Sequence, residues 1–175
     1  MLVEMKVTGL TIDPFTNMPI IILKDMEEKS ALPIWIGLIE ASSIATELEK
    51  IQLSRPMTHD LLKSILDAAH LSVTRVEITD LSDNTFYAHI HIQMGDELLK
   101  VESRPSDAIA MALRTTAPIF VDRKVIEKSR QIDLADVDGV KKMAGDSELG
   151  SGSDKQKWTE FLEGLNLDDF GKYKM

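Results

Sequence analysis

A chain of 175 residues, 43% of them hydrophobic, is long enough for one ordinary domain with a real core and a short appendage. It has no cysteine, which excludes disulfides and thiolate metal sites and suits a reducing compartment. The formal net charge of −9 is shared by residues 1–130 (−5) and 131–175 (−4), so neither part carries the basic footprint that tight nucleic-acid binding leaves.

The start, Met-Leu-Val-Glu-Met-Lys, has no basic region followed by a long apolar run, so no signal peptide is expected. The apolar run from Met18 to Leu23 is far too short to cross a bilayer, and a soluble cytoplasmic protein without membrane attachment is expected. Val3, Met5 and Val7 alternate with polar residues as a strand does, and the phase slips at Gly9, which predicts a bulge. Asp13-Pro14 opens a turn, Met18 to Leu23 reads as a strand buried on both faces, and Asp25 to Ser30 is a charged turn. Leu32 to Gly37 makes a third strand, and Pro33 places it at an edge or at a strand start.

Ala41, Ile44, Ala45 and Leu48 then fall at helical spacing. A second helix is predicted after Pro56, with Thr58 as N-cap and Leu61, Leu62, Ile65, Leu66 and Ala69 as its buried face. Leu71 to Leu81 reads as a strand, and residues 86–94 alternate as a half-buried one. Gly95-Asp96 suits a tight hairpin turn into Leu98 to Glu102. The polar corner Ser103-Arg104-Pro105-Ser106-Asp107 follows, then a helix too apolar for a surface. Pro118 to Val121 is a short buried strand, and Asp122 is placed to cap a last helix.

Strand, strand, strand, helix at about 3–50 recurs at about 71–115. The expected fold is therefore α+β, a compact domain with a mixed or antiparallel sheet built from a duplicated unit, with the 58–69 helix bridging the halves. Residues 131–153 mix Asp and Glu with Gly and Ser and read as a flexible acidic linker. Residues 154–175 read as a short amphipathic helix and tail, with Trp158, Phe161, Leu162 and Leu165 on one face. Such a helix is marginal alone and is expected to dock on its own body, a second subunit or a protein partner.

Four stretches give the chain a resemblance: Leu32-Pro33-Ile34-Trp35-Ile36-Gly37 with Glu40-Ala41, Arg55-Pro56-Met57-Thr58-His59-Asp60, Phe86-Tyr87-Ala88, and Arg104-Pro105-Ser106-Asp107-Ala108-Ile109-Ala110. In order and spacing they resemble the bifunctional nuclease family across about residues 1–130. The resemblance implies a compact α+β domain, often oligomeric, with nuclease action on DNA and RNA. Two departures are visible: Glu102-Ser103 stands where Asp and a small residue are commoner, and Ala69-His70 where Leu-Gly is usual.

The candidate chemistry lies at the corners. Arg55 and Arg104, with Ser106 and the first-turn N–H groups beside it, are suited to hold a phosphate. Asp107, Asp60 and Glu40 supply hard oxygen ligands for Mg²⁺ or Mn²⁺, and His59 is a candidate general base or ligand. The same residue types at helix starts also serve as ordinary caps and dipole partners. His89 and His91, at i and i+2, can bite a metal but fit a polar sheet face better. Trp35 is expected in a core or an interface. No Ser-His-Asp arrangement, phosphate loop or dinucleotide fingerprint is apparent.

The expected function is divalent-metal-assisted hydrolysis of phosphodiester bonds in DNA or RNA at low sequence selectivity, with nucleic acid as a transient substrate. The proposed catalytic set is His59, Asp60, Asp107 and Glu40. The alternative is a non-enzymatic oligomeric adaptor whose corners bind a small anion or nucleotide. A twofold homo-oligomer is expected because Ala108 to Leu113 and Pro118 to Val121 offer more apolar surface than a small two-layer domain readily covers.

Overall fold

The computed structural model describes residues 1–136, with side chains through 129. The linker and C-terminal helix expected at 131–153 and 154–175 therefore lie largely or wholly outside the described residues. Strands β1 (Leu2–Ile12), β2 (Pro19–Asp25) and β3 (Ala31–Trp35) form an antiparallel meander that runs directly into α1 (Leu38–Leu48). After the connecting helix α2 (Thr58–Ala68), β4 (Ser72–Ser82), β5 (Thr85–Met94) and β6 (Glu97–Ser103) repeat the meander and lead into α3 (Pro105–Thr115). Strand β7 (Ile119–Asp122) and α4 (Arg123–Asp136) complete the described chain.

The seven strands form one sheet in the order β3-β2-β1-β7-β4-β5-β6. Strand β7 inserts between the two meanders, antiparallel to β1 and parallel to β4, which joins the repeated halves into a mixed sheet. The α+β class and the repeated unit are as the periodicity predicted. The bulge at Gly9 is present, since the β1–β2 register shifts between Val7 and Gly9. Its counterpart in the second half is a shift between Ile78 and Asp80. The Pro33 strand is an edge, where its missing N–H costs no ladder bond. Gly95 takes φ of +58° in the two-residue turn between Met94 and Glu97, a backbone state open to glycine at little cost.

The core lies between the sheet and the helices. Ile21, Leu23, Leu32, Ile34, Val76, Ile78 and Ala88 of the sheet form one buried cluster with Ile44 of α1 and Ile109 and Met111 of α3. Helix α3 is the centre of the helical layer: it contacts α1, α2, β4 and β5, and Ala108 to Ala112 are all buried. This removes the premise of the expected oligomer. The apolar run at 108–113 and the strand at 119–121 are covered within the chain itself, because α1 and α2 flank α3 and β7 is a central strand.

Helix α2 departs from expectation. None of its residues is fully buried, and Leu61 and Ile65 are 53% and 54% exposed. It turns His59, Lys63 and Leu66 toward the body instead, since its packing is set by polar partners at its start. Thr58 is the first helical residue and not the N-cap, which is Met57. Asp122 does cap α4, accepting the Lys124 N–H at 3.1 Å. Trp35 is not core: it is exposed, and its indole N–H donates to Asp13 Oδ2 at 3.2 Å.

Candidate active site at three helix starts

Helices α1, α2 and α3 begin after N-caps Gly37, Met57 and Arg104, so Glu40, Asp60 and Asp107 all occupy the third helical position. A carboxylate there faces the unpaired N–H groups and the positive end of the helix dipole, which explains why sequence alone could not separate a cap from a site. Helices α1 and α3 each follow the third strand of a repeated meander and pack together, which brings their starts side by side.

Arg104 joins them. Its Nη1 donates to Glu40 Oε1 at 2.7 Å, and its Nε and Nη2 donate to Asp107 Oδ2 and Oδ1 at 2.8 and 3.2 Å. The fork on Asp107 is the bidentate geometry that suits a guanidinium. The hydrogen bonds and charge of Asp107, then those of Glu40, raise the already high Arg104 pKa further. Its side chain is nevertheless 65% exposed, so one flank of the guanidinium is open to solvent. Gly37 makes room for this arrangement: a Cβ there would stand 2.2 Å from Glu40 Oε2.

His59, the second residue of α2, completes the cluster from the inner side. Its Nε2 lies 3.1 Å from Asp107 Oδ1 and its Nδ1 2.9 Å from the hydroxyl of Ser43 on α1. Burial pushes the Asp107 carboxyl up, but hydrogen bonds from Arg104 and His59 and their positive charges outweigh it and hold the pKa below the usual range. Asp107 is therefore an ionised acceptor at neutral pH. The result is a line of groups, Ser43, His59, Asp107, Arg104 and Glu40, running from a buried hydroxyl to solvent.

Asp60 does not join this line. Its Oδ1 accepts from Arg114 Nε at 2.6 Å and its Oδ2 accepts the Met57 N–H at 2.8 Å. Arg114 also donates to the Ala110 and Ser43 carbonyls, so it ties α1, α2 and α3 together from beneath the cluster. Burial raises the Asp60 pKa, and the Arg114 and Met57 hydrogen bonds outweigh that and lower it. Arg55 is exposed and has no ion pair among the described residues. Ser106 is buried beneath the first turn of α3, not offered to a ligand.

Among the described residues, no group of three or more His, Asp or Glu is arranged to hold a metal ion. The physical reason is visible: Arg104 occupies Glu40 and Asp107, and Arg114 occupies Asp60. As arranged, these residues do not fit the Mg²⁺ or Mn²⁺ that their types suggested. His89 and His91 also part company. His89 Nδ1 pairs with Thr79 Oγ1 at 3.2 Å, while His91 is buried with Nε2 3.1 Å from Glu77 Oε2, poorly aligned for a hydrogen bond. A groove of about 330 Å³, lined by Lys63, Leu66, Leu71, Arg114 and Thr116, lies at the far end of α2 from His59.

Sequence reasoning missed Ser43 and Arg114. Both left a signal: Ser42-Ser43 interrupts the apolar arc of Ala41, Ile44 and Ala45, and Arg114 ends an otherwise apolar helix. A polar residue in a buried arc needs a partner, and both have one.

The bifunctional nuclease domain matches residues 21–133, which include every residue of the cluster. An uncharacterized protein of Mycobacterium tuberculosis is 34% identical over 169 residues, covering 95% of this chain and 97% of its own length. Bifunctional nuclease 1 of Oryza sativa subsp. japonica is 31% identical over 110 residues, covering 60% of this chain and 33% of the rice protein. Bifunctional nuclease 1 of Arabidopsis thaliana is 28% identical over 110 residues, with 60% and 34% covered. By this domain match, which spans more than half of its length, the chain belongs to the bifunctional nuclease domain family.

Proposed function

We propose that this protein is a nuclease that hydrolyses phosphodiester bonds in DNA, RNA or both with low sequence selectivity. The observation that carries the reading is Arg104: an exposed guanidinium held at the start of α3, directly against an ionised carboxylate that a histidine contacts in turn. The names of the plant relatives support the same reaction class. Arg104 would take a phosphate oxygen on its open flank, exchanging its Glu40 contact for the substrate. Asp107, at the solvent side of the His59–Asp107 pair, would accept a proton from the attacking water as it bonds to phosphorus and one P–O ester bond breaks, the departing oxygen taking its proton from solvent. His59 would hold Asp107 in place, and Asp60 with Arg114 would fix the helix starts.

The test is cleavage of single- and double-stranded DNA and RNA by purified protein, with Mg²⁺, with Mn²⁺ and with chelator. Activity that co-elutes with the protein and is lost in Asp107→Ala and Arg104→Ala supports the reading. Full activity in Asp107→Ala, or activity that separates from the protein, overturns it.

A second reading is favoured by the mutual satisfaction of Arg104, Glu40 and Asp107, which is what an anion-binding regulatory module needs at rest. Such a module would be stabilised by a nucleotide or inorganic phosphate in a thermal-shift screen, since a ligand bound only by the folded state raises apparent stability. Clean cleavage with no shift by any nucleotide rules it out.

A further inference from the structure

We propose that Ser43 is a positioning residue of this site, fixing the tautomer of His59 and through it the direction of Asp107. The inference rests on the reading of the His59–Asp107 pair as the proton-handling part of the site. Ser43 sits in the middle of α1, buried, and its hydroxyl has a hydrogen bond to His59 Nδ1 at 2.9 Å. It is too deeply buried to meet a substrate, which separates its role from that of a nucleophile.

For a neutral imidazole the donor and acceptor logic has one consistent solution. Asp107 is ionised and accepts only, so the 3.1 Å contact requires the proton on His59 Nε2. In the neutral imidazole, Nδ1 is then an acceptor, and the Ser43 O–H must donate to it. The carbonyl of Ile39, where a serine at 43 would otherwise return its proton, already accepts from Ser42 at 2.7 Å. Ser43 itself is anchored, because its carbonyl accepts from Arg114 Nη2 at 3.1 Å. Three helices thus fix one proton: α1 supplies the donor, α2 the imidazole and α3 the acceptor.

This arrangement has the residue types of a serine–histidine–aspartate triad with the order of exposure reversed. The serine is the buried anchor and the carboxylate lies nearest to solvent. A hydroxyl at 43 does for Asp107 what an orienting second partner does for a ligating or basic histidine elsewhere.

The experiment is long-range ¹H–¹⁵N NMR of the ¹⁵N-labelled full chain, with the His59 ring signals assigned by their loss in His59→Gln. At a pH where the imidazole is neutral, wild type is expected to show the Nε2–H tautomer alone. Ser43→Ala, which suits a helix interior, is expected to fold but to leave the ring free to turn away from Asp107, and so to show ring nitrogen shifts averaged between the two tautomers, and Ser43→Thr to restore the wild-type pattern. In the cleavage assay, kcat of Ser43→Ala should fall roughly tenfold with KM unchanged, and Thr should recover it. Unchanged His59 nitrogen shifts in a folded Ser43→Ala protein overturn the proposal, and so does an altered pattern that Ser43→Thr fails to restore. The NMR measurement needs no substrate, so a protein without nuclease activity that still shows the tautomer change would refute the proposed function while leaving the positioning role standing.

Discussion

Arg114→Met isolates the interaction that assembles the three helix starts. The Arg114 side chain is 3% exposed and donates to Asp60 Oδ1 at 2.6 Å, Ser43 O at 3.1 Å and Ala110 O at 3.2 Å. Methionine keeps much of the volume without the donors. Breaking a buried ion pair by removing one partner costs about 3–5 kcal/mol, and the Asp60 side chain, 35% exposed, keeps enough water to put the expected cost near ~3 kcal/mol. For a chain of this size that is a fall in Tm of about 10 °C. Urea unfolding of wild type, Arg114→Met, Asp60→Asn and the double variant gives the coupling, expected at about 2 kcal/mol. The pH dependence has a definite sign. The folded Asp60 pKa lies below its unfolded value, so its contribution is fully present above pH ~4 and is lost as pH falls through the folded pKa. The coupling should therefore shrink on acidification from neutral pH. Single variants that add to within about 0.5 kcal/mol, or a coupling unchanged on acidification, would refute the reasoning.

Arg104→Ala should leave Tm nearly unchanged, within about 1 kcal/mol, because its ion pairs are solvent-exposed, yet it should abolish cleavage; a large loss of stability would make it structural instead. Gly37→Ala places a Cβ against the Glu40 carboxylate and should weaken the Arg104–Glu40 pair, read as a change in substrate KM or phosphate affinity with the fold intact. His70 follows α2 with φ of +56°, and its neighbour Leu71 N–H bonds to Leu66 O at 2.9 Å, a helix ending that favours glycine. His70→Gly should therefore raise stability by about 1 kcal/mol in urea, and a loss would show that the imidazole has a role of its own. Ile109→Ala, at the centre of the helical layer, should cost about 2–5 kcal/mol by the same measurement.

The sequence by itself determined the elements, the repeated unit, the bulge at Gly9, the edge at Pro33 and the family. These follow from hydrophobic period and from residues with restricted or permissive backbones, which act within a few positions of themselves. It also placed the candidate acids at helix starts. Only the tertiary structure decided which acids meet. Ser43 and His59 are 16 residues apart, His59 and Asp107 are 48, and Glu40 and Arg104 are 64. Such contacts depend on how helices pack over the sheet, which periodicity within one helix does not encode. For the same reason the apolar face of α2 misled. Leu61 and Ile65 fit a buried stripe by spacing, but the Asp60–Arg114 and His59–Asp107 pairs set the helix's rotation and left that stripe in solvent. The amino-acid order chose the groups, and the packing of α1, α2 and α3 chose which of them share a proton.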